Sequence, residues 1–500
     1  MMNIATAKEQ IRNAMSVYFE RDEFGSLQIP LEEQRPVFLM GPPGIGKTAI
    51  VRQIADELGV GLVSYSMTHH TRQSALGLPL ILEKTYGGEP TQTTEYTMSE
   101  IIASVYDMME DAGVTEGILF LDEINCVSET LTPVMLQFLQ YKQLGTHKVP
   151  EGWLVVTAGN PPEYNRSARE FDIVTWDRLK RIDIEPDYRA FRDYALDAGV
   201  HPAILTYLDL KTEYFYKVES EFDGARFVTA RGWEDLSRVL VLYEERGLPV
   251  DRDLVSQYLQ DDDIAEDFAI YYDLFRKYEE DYGVGEILSG NASHRTIDKA
   301  TAAKFDERLS LLGLLLDAVL KDTGAAVGTE DYLKKLLPYL KAVKESDAPL
   351  AERLGAAVEE QAKAIDLLKR RGAVSADHLY LENRVLAFLK DVAAAAERGE
   401  YADFSQVEAK FQEEVAGLKT SSGSASEELE HVFSFLNDAW GAGQEMLVFL
   451  SELSASTATA RFIARYGSES YRKYRDLLML KERRDDLLRK VDQLAGNVDL

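Results

Sequence analysis

The stretch Arg35-Pro-Val-Phe-Leu-Met-Gly-Pro-Pro-Gly-Ile-Gly-Lys-Thr-Ala-Ile50 decides the fold of this chain. Residues 36–40 form an apolar run typical of a buried strand, and apolar positions recur at helical spacing after residue 47. Between them, residues 41–48 complete the pattern G-x-x-x-x-G-K-[ST]. A strand, a glycine-rich turn and a helix in this order predict a nucleotide phosphate loop. The alternative is a glycine-rich linker with a chance lysine, which the flanking strand and helix disfavour.

Each residue type in this loop has a chemical reason. Gly41, Gly44 and Gly46 allow tight turns and a close approach of the backbone to an anion. Amide groups of the turn and of the following helix N-terminus would point at the phosphates. Lys47 would neutralise the β and γ phosphates of ATP, and the Thr48 hydroxyl would bind Mg²⁺. The predicted nucleotide-binding residues are Gly41, Pro42, Pro43, Gly44, Ile45, Gly46, Lys47, Thr48 and Ala49.

A second apolar run, Gly117-Ile-Leu-Phe-Leu-Asp-Glu123, ends in two acids. Four consecutive apolar residues indicate a strand buried on both faces, as in a parallel sheet, and such sheets bind ligands at the carboxyl ends of their strands. We expect Asp122 to hold Mg²⁺ directly or through water, and Glu123 to orient or deprotonate the attacking water. The alternative is a pair of solvated turn residues.

Two further segments extend the candidate site. The run Gly152-Trp-Leu-Val-Val-Thr-Ala-Gly-Asn-Pro-Pro162 predicts another buried strand that ends at Asn160. That side chain either holds the water against the γ-phosphate or starts an ordinary turn before the two prolines, and spacing alone leaves both roles open. The basic cluster Asp177-Arg-Leu-Lys-Arg-Ile-Asp-Ile-Glu-Pro186 leads into a last short strand, and its arginines could equally be surface ion-pair partners.

Composition restricts the class of protein. The chain has 500 residues, a formal charge of −30 and 45% hydrophobic residues, which suits packed globular domains and makes a nucleic-acid partner unlikely. We expect no membrane span, since no apolar run reaches the ~20 residues that a spanning helix needs. We expect a cytoplasmic location, because the first residues lack a secretory signal and Cys126 is the only cysteine.

Five segments in this order resemble the Walker A, Walker B, sensor 1, arginine-finger and sensor 2 segments of an AAA+ ATPase, and more narrowly of the bacterial MoxR-like branch. They are Gly41–Thr48, Leu119–Glu123, Thr157–Asn160, Trp176–Arg181 and Thr229–Trp233. The resemblance covers roughly residues 1–245 and implies an α/β P-loop core with a parallel five-stranded sheet and a small helical lid. Beyond the lid, the apolar spacing predicts a mostly α-helical C-terminal extension. The implied domains are residues 1–187, 188–285 and 286–500.

The resemblance also implies that the chain forms homo-oligomers, usually hexameric rings, and that ATP binds between neighbouring subunits. Arg178 would then act in trans on the neighbour's ATP, with Arg181 as the rival for that role. Arg231 would be the sensor 2 residue that contacts the γ-phosphate from the lid. The implied cellular role is chaperone-like, together with a partner protein that carries a von Willebrand factor A domain.

Outside these motifs, the sequence predicts elements without catalytic chemistry. Residues 80–98 predict an insertion with a hairpin, and the adjacent His69 and His70 are interpreted as polar loop residues, since no third metal ligand is in view. Beyond residue 285 the pattern predicts about eight helices, with loops at 323–328 and 420–425 and a charged last helix that includes Lys481 to Asp486.

Three functions fit these observations. The first is an ATP-hydrolysing ring that remodels a partner, favoured because Glu123, Asn160 and Arg178 are all present. The second is an assembly switch or scaffold that binds ATP and hydrolyses it slowly. The third is a nucleic-acid-associated ATPase, which predicts salt-sensitive DNA binding that the charge of −30 disfavours.

Overall fold

A five-stranded sheet forms the centre of the N-terminal part of the chain. The computed structural model describes residues 1–221 and 224–476. The strand order is β2 (Gly61–Ser66), β5 (Gly117–Asp122), β8 (Trp153–Gly159), β1 (Val37–Met40) and β9 (Lys180–Asp183), and every neighbouring pair is parallel. The predicted parallel five-stranded sheet is therefore confirmed. The elements up to residue 187 are α1 (Ile4–Tyr18), β1 (Val37–Met40), α2 (Lys47–Leu58), β2 (Gly61–Ser66), α3 (Arg72–Leu76), β3 (Pro79–Tyr86), β4 (Glu89–Tyr96), α4 (Glu100–Ala112), β5 (Gly117–Asp122), α5 (Thr132–Tyr141), β6 (Gln143–Leu144), β7 (His147–Lys148), β8 (Trp153–Gly159), α6 (Ile173–Trp176) and β9 (Lys180–Asp183).

The inner strands β1 and β8 are buried along their whole length, and β5 is buried up to Leu121. All four residues of β1 and all seven of β8 are buried, which explains why these strands appear in the sequence as continuous apolar runs and not as alternating ones. Parallel strands place their carboxyl ends at one edge. The ends of β1, β5 and β8, at Met40, Asp122 and Gly159, therefore lie along the same edge of the sheet.

The remaining elements are almost all helical, which confirms the predicted helical C-terminal region. They are α7 (Tyr188–Asp197), α8 (Pro202–Leu210), β10 (Lys217–Glu221), β11 (Gly224–Val228), α9 (Ala230–Glu245), α10 (Arg252–Val255), α11 (Asp262–Tyr282), α12 (Val284–Leu288), α13 (His294–Ala302), α14 (Phe305–Glu345), α15 (Leu350–Arg370), α16 (Ala376–Glu397), α17 (Phe404–Trp440), α18 (Gln444–Ala455) and α19 (Thr457–Tyr466). Among the described residues, no helix is both long and apolar enough to cross a membrane. The predicted charged helix around Lys481–Asp486 lies outside the described residues.

The chain divides into two compact units that do not follow the sequence order. The first contains residues 1–190 and 354–391, and the second contains residues 191–353 and the chain from 392 onward. A helical hairpin from the C-terminal half, made of parts of α15 and α16, therefore belongs to the sheet unit. The division at 187/188 and 285/286 stays a prediction.

Two of the predicted loops are wrong. Residues 323–328 lie inside the 41-residue helix α14, and residues 420–425 lie inside the 37-residue helix α17. Ala326 and Val327 of α14 pack with Ala425 of α17 and Phe462 of α19 in one buried cluster. The small residues that resemble a loop signal instead allow helices to approach closely, and tertiary packing outweighs their weak helix propensity.

Two predictions about hairpins have different outcomes. The hairpin expected within residues 80–98 is present as the antiparallel pair β3–β4. The region 188–285 was expected to be helical throughout, yet it also contains the antiparallel pair β10–β11. Alternation over five-residue strands is a weak signal beside the strong helical periodicity around it.

Candidate functional site

The predicted phosphate loop connects β1 to α2 at the carboxyl edge of the sheet. Gly44 and Gly46 have φ of +73° and +95°, a region that glycine enters without strain. Gly41 has a different reason, because a Cβ there would lie 2.7 Å from the carbonyl oxygen of Ile184. Helix α2 then begins at Lys47, so its first amide groups lie directly after the turn. The turn and the first helical residues also contain Pro42, Pro43, Ile45, Thr48 and Ala49.

The Lys47 ammonium is folded back into the loop. It is buried, and it donates hydrogen bonds to the carbonyl oxygens of Gly41 (2.7 Å) and Pro42 (2.8 Å) and to Oδ1 of Asn160 (2.8 Å). These three acceptors match the three N–H donors of an ammonium group. A phosphate oxyanion that binds here would replace some of these neutral acceptors with a charged one, which makes a stronger hydrogen bond.

Thr48 and Asp122 form the predicted magnesium pair. The Thr48 hydroxyl donates to Oδ2 of Asp122 at 2.8 Å, across 74 positions of sequence, and Oδ1 of the same carboxylate accepts the amide of Glu123 at 2.9 Å. A hydroxyl and a carboxylate at one edge are the hard oxygen ligands that Mg²⁺ uses together with phosphate oxygens and water. Among the described residues, no cluster of three or more His, Cys, Asp or Glu side chains could hold a metal on its own. The two oxygen ligands, from Thr48 and Asp122, therefore fit a magnesium ion that binds together with a nucleotide.

Glu123 is held in an uncommon backbone conformation. Its φ is +56° and its ψ is +34°, the left-handed region that residues other than glycine rarely occupy. Its Oε2 accepts hydrogen bonds from the hydroxyls of Ser66 (3.0 Å) and Thr68 (3.3 Å). Sequence reasoning missed these two partners. The available signal was their position at and just after the end of β2, which pairs with β5, so that Ser66 lies opposite Asp122.

The end of β8 contributes Asn160, and the structure brings it to the phosphate loop through its contact with Lys47. Its backbone oxygen accepts a hydrogen bond from Nδ2 of Asn125 at 2.8 Å. Asn125 is a buried side chain two positions after Glu123, and sequence reasoning did not single it out. The role of Asn160 toward an attacking water stays a prediction.

Electrostatics at this edge are dominated by the two acids. Burial raises the pKa of the Cys126 thiol, and the nearby charges of Glu123 and Asp122 raise it further. The thiol is therefore held in its neutral form, which makes a reactive thiolate at this position unfavourable.

The two arginines considered for the trans role have different surroundings. Arg181 lies in β9, where its guanidinium stacks over the Trp176 ring at 4.3 Å from the centroid and donates to Asp183 at 2.8 Å. Arg178 lies between α6 and β9, and its side chain is exposed. Arg181 is thus engaged within its own subunit, whereas Arg178 projects toward solvent.

Arg231 belongs to the second unit, described here by itself. It is the second residue of α9, and its side chain is exposed. The hydroxyl of Thr229 caps this helix by accepting the amide of Gly232 at 3.2 Å. The local sequence therefore places Arg231 at a helix N-terminus, and its sensor 2 role stays a prediction.

His69 and His70 occupy a short 3₁₀ turn and the residue that follows it, after β2. Nδ1 of His70 lies 3.2 Å from the Ser74 hydroxyl, and its ring contacts Tyr65 edge-on. These contacts fit the interpretation as polar loop residues.

Comparisons with known proteins agree with this geometry. Residues 37–174, from β1 to α6, match the family described as ATPase family associated with various cellular activities (AAA). This part of the chain is therefore similar to AAA ATPase domains. Among solved structures, the crystal structure of NtrX from Brucella abortus is similar at 17% identity over 39% of each chain, with a TM-score of 0.23. No curated protein gives a significant match.

Proposed function

We propose that the protein is an ATP-hydrolysing, magnesium-dependent AAA+ ring that remodels or activates a partner protein. One observation carries the hydrolytic part of this proposal. Lys47 and Thr48 begin one helix, and Asp122 and Asn160 lie at two strand ends. Hydrogen bonds of 2.8 Å join Lys47 to Asn160 and Thr48 to Asp122 at the carboxyl edge of one parallel sheet. Parallel α/β sheets bind ligands at that edge, and AAA domains hydrolyse ATP.

The chain's own residues have separable roles in this reaction. The Lys47 ammonium moves from the loop carbonyls to the β and γ phosphate oxygens, and the α2 amides bind the same anion. Thr48 and Asp122 hold Mg²⁺, which when bound neutralises charge that develops on the phosphates. Glu123 accepts a proton from the attacking water or orients it, and Asn160 holds that water against the γ-phosphate.

Arg178 completes the site of a neighbouring subunit. Both side chains are exposed, but the Arg181 guanidinium is engaged by Trp176 and Asp183, and this supports the choice of Arg178. An arginine supplied in trans stabilises transition-state charge and contributes ~10³-fold or more in rate. Arg231 acts from the lid, which we propose spans residues 188–285.

The finer assignment rests on the resemblance to the MoxR-like branch. It comprises a hexameric ring, a chaperone-like activity in the cytoplasm and a partner with a von Willebrand factor A domain. Because the net charge is −30, a protein partner is a better candidate than a nucleic acid. The test is to purify such a partner together with a Glu123→Gln variant in ATP and again in ADP. Retention in ATP alone supports the assignment, and equal recovery in both nucleotides contradicts it.

The hydrolytic proposal is tested with three variants of the full chain. Glu123→Gln should bind ATP with nearly parental affinity and lose turnover, whereas Lys47→Ala should lose affinity itself. Glu129→Gln is the matched control, since this acid lies six positions later and its exposed carboxylate pairs with Arg169. Full turnover by Glu123→Gln would remove the general-base assignment, and unchanged affinity in Lys47→Ala would remove the phosphate site.

A slow, switch-like ATPase is the second candidate, and one observation favours it. Oε2 of the Glu123 carboxylate accepts hydrogen bonds from the Ser66 and Thr68 hydroxyls, which hold the carboxylate in place and occupy lone pairs of that oxygen. A switch would show turnover that stays slow in every assembled state, with assembly that follows the bound nucleotide. A motor would show turnover that increases when its partner binds.

A further inference from the structure

Asn125 connects the acid-bearing strand end to the end of β8. It lies in the 3₁₀ turn Ile124–Cys126, directly after Glu123, and is only 2% exposed. Its Nδ2 donates to the backbone oxygen of Asn160 at 2.8 Å. A carbonyl oxygen only accepts hydrogen bonds, so the nitrogen end of the amide must face it.

The fit between Asn125 and β8 is close enough to exclude a side chain at Gly159. A Cβ at that position would lie 2.5 Å from Oδ1 and 2.8 Å from Cγ of Asn125. Gly159 does not have a positive φ, so its small size is needed for this approach and not for backbone freedom. The Asn125 amide therefore packs directly on the backbone that precedes Asn160.

The backbone of Asn125 binds a third segment. Its carbonyl oxygen accepts the amide of Arg169 at 2.9 Å, and the chain runs on from there through α6 to Arg178. One buried residue thus connects the turn after Glu123, the backbone of Asn160 and the segment that leads to the arginines.

We infer that Asn125 is a positioning residue that fixes the separation between the Glu123 carboxylate and the Asn160 side chain. This inference rests on the proposed ATPase function. Both groups must contact the same water and the γ-phosphate, and a displacement of about 1 Å between such groups can cost about 100-fold in rate. Asn125 is 2% exposed, and its side chain and backbone bind Asn160 and Arg169, so it acts through these neighbours.

The first test replaces the donor without changing the shape of the side chain. Asn125→Asp places a carboxylate oxygen against the Asn160 carbonyl, which repels it. We expect kcat to fall roughly 10- to 100-fold, with the ATP dissociation constant within about threefold of the parent. Asn125→Ser, which also lacks a donor at that distance but adds no charge, should show the same split between kcat and affinity.

Gly159→Ala tests the same contact from the other side. The added methyl group would lie 2.5 Å from Oδ1 of Asn125 and 2.9 Å from Cζ of Phe38. It must displace the Asn125 amide as well as the Phe38 ring, so this variant should also lose kcat. The double variant Asn125→Asp/Gly159→Ala should lose no more than the stronger single variant, because both changes break one contact. Asn383→Asp is the matched control. This exposed side chain donates only to the carbonyl oxygen of Leu379 within α16, at 2.8 Å, and no hydrogen bond joins it to Asn125 or Asn160, so parental kcat is expected.

Each outcome of these measurements decides the inference. A folded Asn125 variant with parental kcat overturns it, and so does an equal loss of kcat and affinity or full additivity with Gly159→Ala. If no Asn125 variant folds, the residue serves stability and the inference is also overturned. A parental chain without ATPase activity would instead refute the proposed function, and the two failures are therefore distinguishable.

Discussion

Lys142 is a buried cation whose charge should destabilise the folded chain. It follows α5 and is 3% exposed, and burial lowers its pKa from 10.5 to about 8, although Glu32 acts in the opposite direction. Glu32 is itself engaged by Lys148, whose ammonium lies 2.8 Å away. The folded chain therefore favours the neutral amine of Lys142, and charging it below pH 8 costs free energy.

The magnitude follows from the two pKa values. Their difference, 10.5 minus about 8, corresponds to roughly 3 kcal/mol at pH 7, since one pKa unit is worth about 1.36 kcal/mol. Because the unfolded chain binds the proton more tightly, the free energy of unfolding should rise with pH between about 8 and 10.5. Below pH 8 both states are protonated and the cost is constant. By pH 10 it should shrink to about 0.8 kcal/mol.

Lys142→Met removes the charge and keeps an unbranched side chain in the same left-handed backbone conformation, φ +50°. We expect it to raise the free energy of unfolding by about 1–3 kcal/mol at pH 7 and by less than about 1 kcal/mol at pH 10. Urea unfolding followed by tryptophan fluorescence at several pH values measures this. Lys363→Met is the control, because this exposed lysine should change stability little at any pH. A gain that stays constant from pH 7 to 10, or a loss at pH 7, would refute the reasoning.

Three further predictions concern the site and its support. Arg178→Ala should lower turnover by ~10³-fold or more, whereas Arg181→Ala should lower it much less. Mixing Arg178→Ala with Glu123→Gln subunits, which supply the arginine, should restore activity. No recovery in intact mixed assemblies would assign Arg178 a role in cis. Ser66→Ala should raise basal turnover up to about tenfold, because it removes one hydrogen bond that holds the Glu123 carboxylate at rest; a fall in steady-state turnover would show that the hydroxyl assists catalysis. Asp56→Asn should lower the free energy of unfolding by about 1–2 kcal/mol in denaturant titrations, since its carboxylate accepts hydrogen bonds from the C-terminal hairpin, and unchanged stability would contradict this.

The parts of the site that sequence predicted are those whose chemistry is local. Glycines at fixed spacing before Lys47 and Thr48 specify a turn by themselves, and two acids after an apolar run specify the end of a buried strand. The partners of Glu123 could not be found this way. Ser66 reaches Glu123 only because β2 pairs with β5, and strand order is set by the packing of the whole sheet.

The errors in the helical half have a related cause. Glycine, serine and threonine at 323–328 and 420–425 resemble a loop because single residues are judged by their own propensity. In the structure, Thr323 is fully buried and its hydroxyl bonds to Val319 of its own helix and to Thr459 of α19. Small residues at such a helix crossing allow the two helices to pack closely. This packing depends on a partner helix more than 100 positions away in sequence, so the local residues alone do not reveal it.

The same dependence on distant sequence extends to the ATPase unit itself. The amide of Leu62 in the edge strand β2 donates to the carbonyl oxygen of Arg371 at 2.9 Å, so the C-terminal hairpin occupies an edge that would otherwise be unpaired. The Asp56 carboxylate accepts a hydrogen bond from the amide of Ser375 at 3.0 Å and pairs with His378 at 3.1 Å. Burial raises the pKa of this carboxyl, but the hydrogen bonds outweigh burial, so the pKa of Asp56 is lowered. Since Asp56 lies on the helix that begins with Lys47, the hairpin holds the far end of the helix that carries Lys47. A fragment that ends before residue 354 would therefore lack part of the unit that contains the candidate site, because that unit is not continuous in sequence.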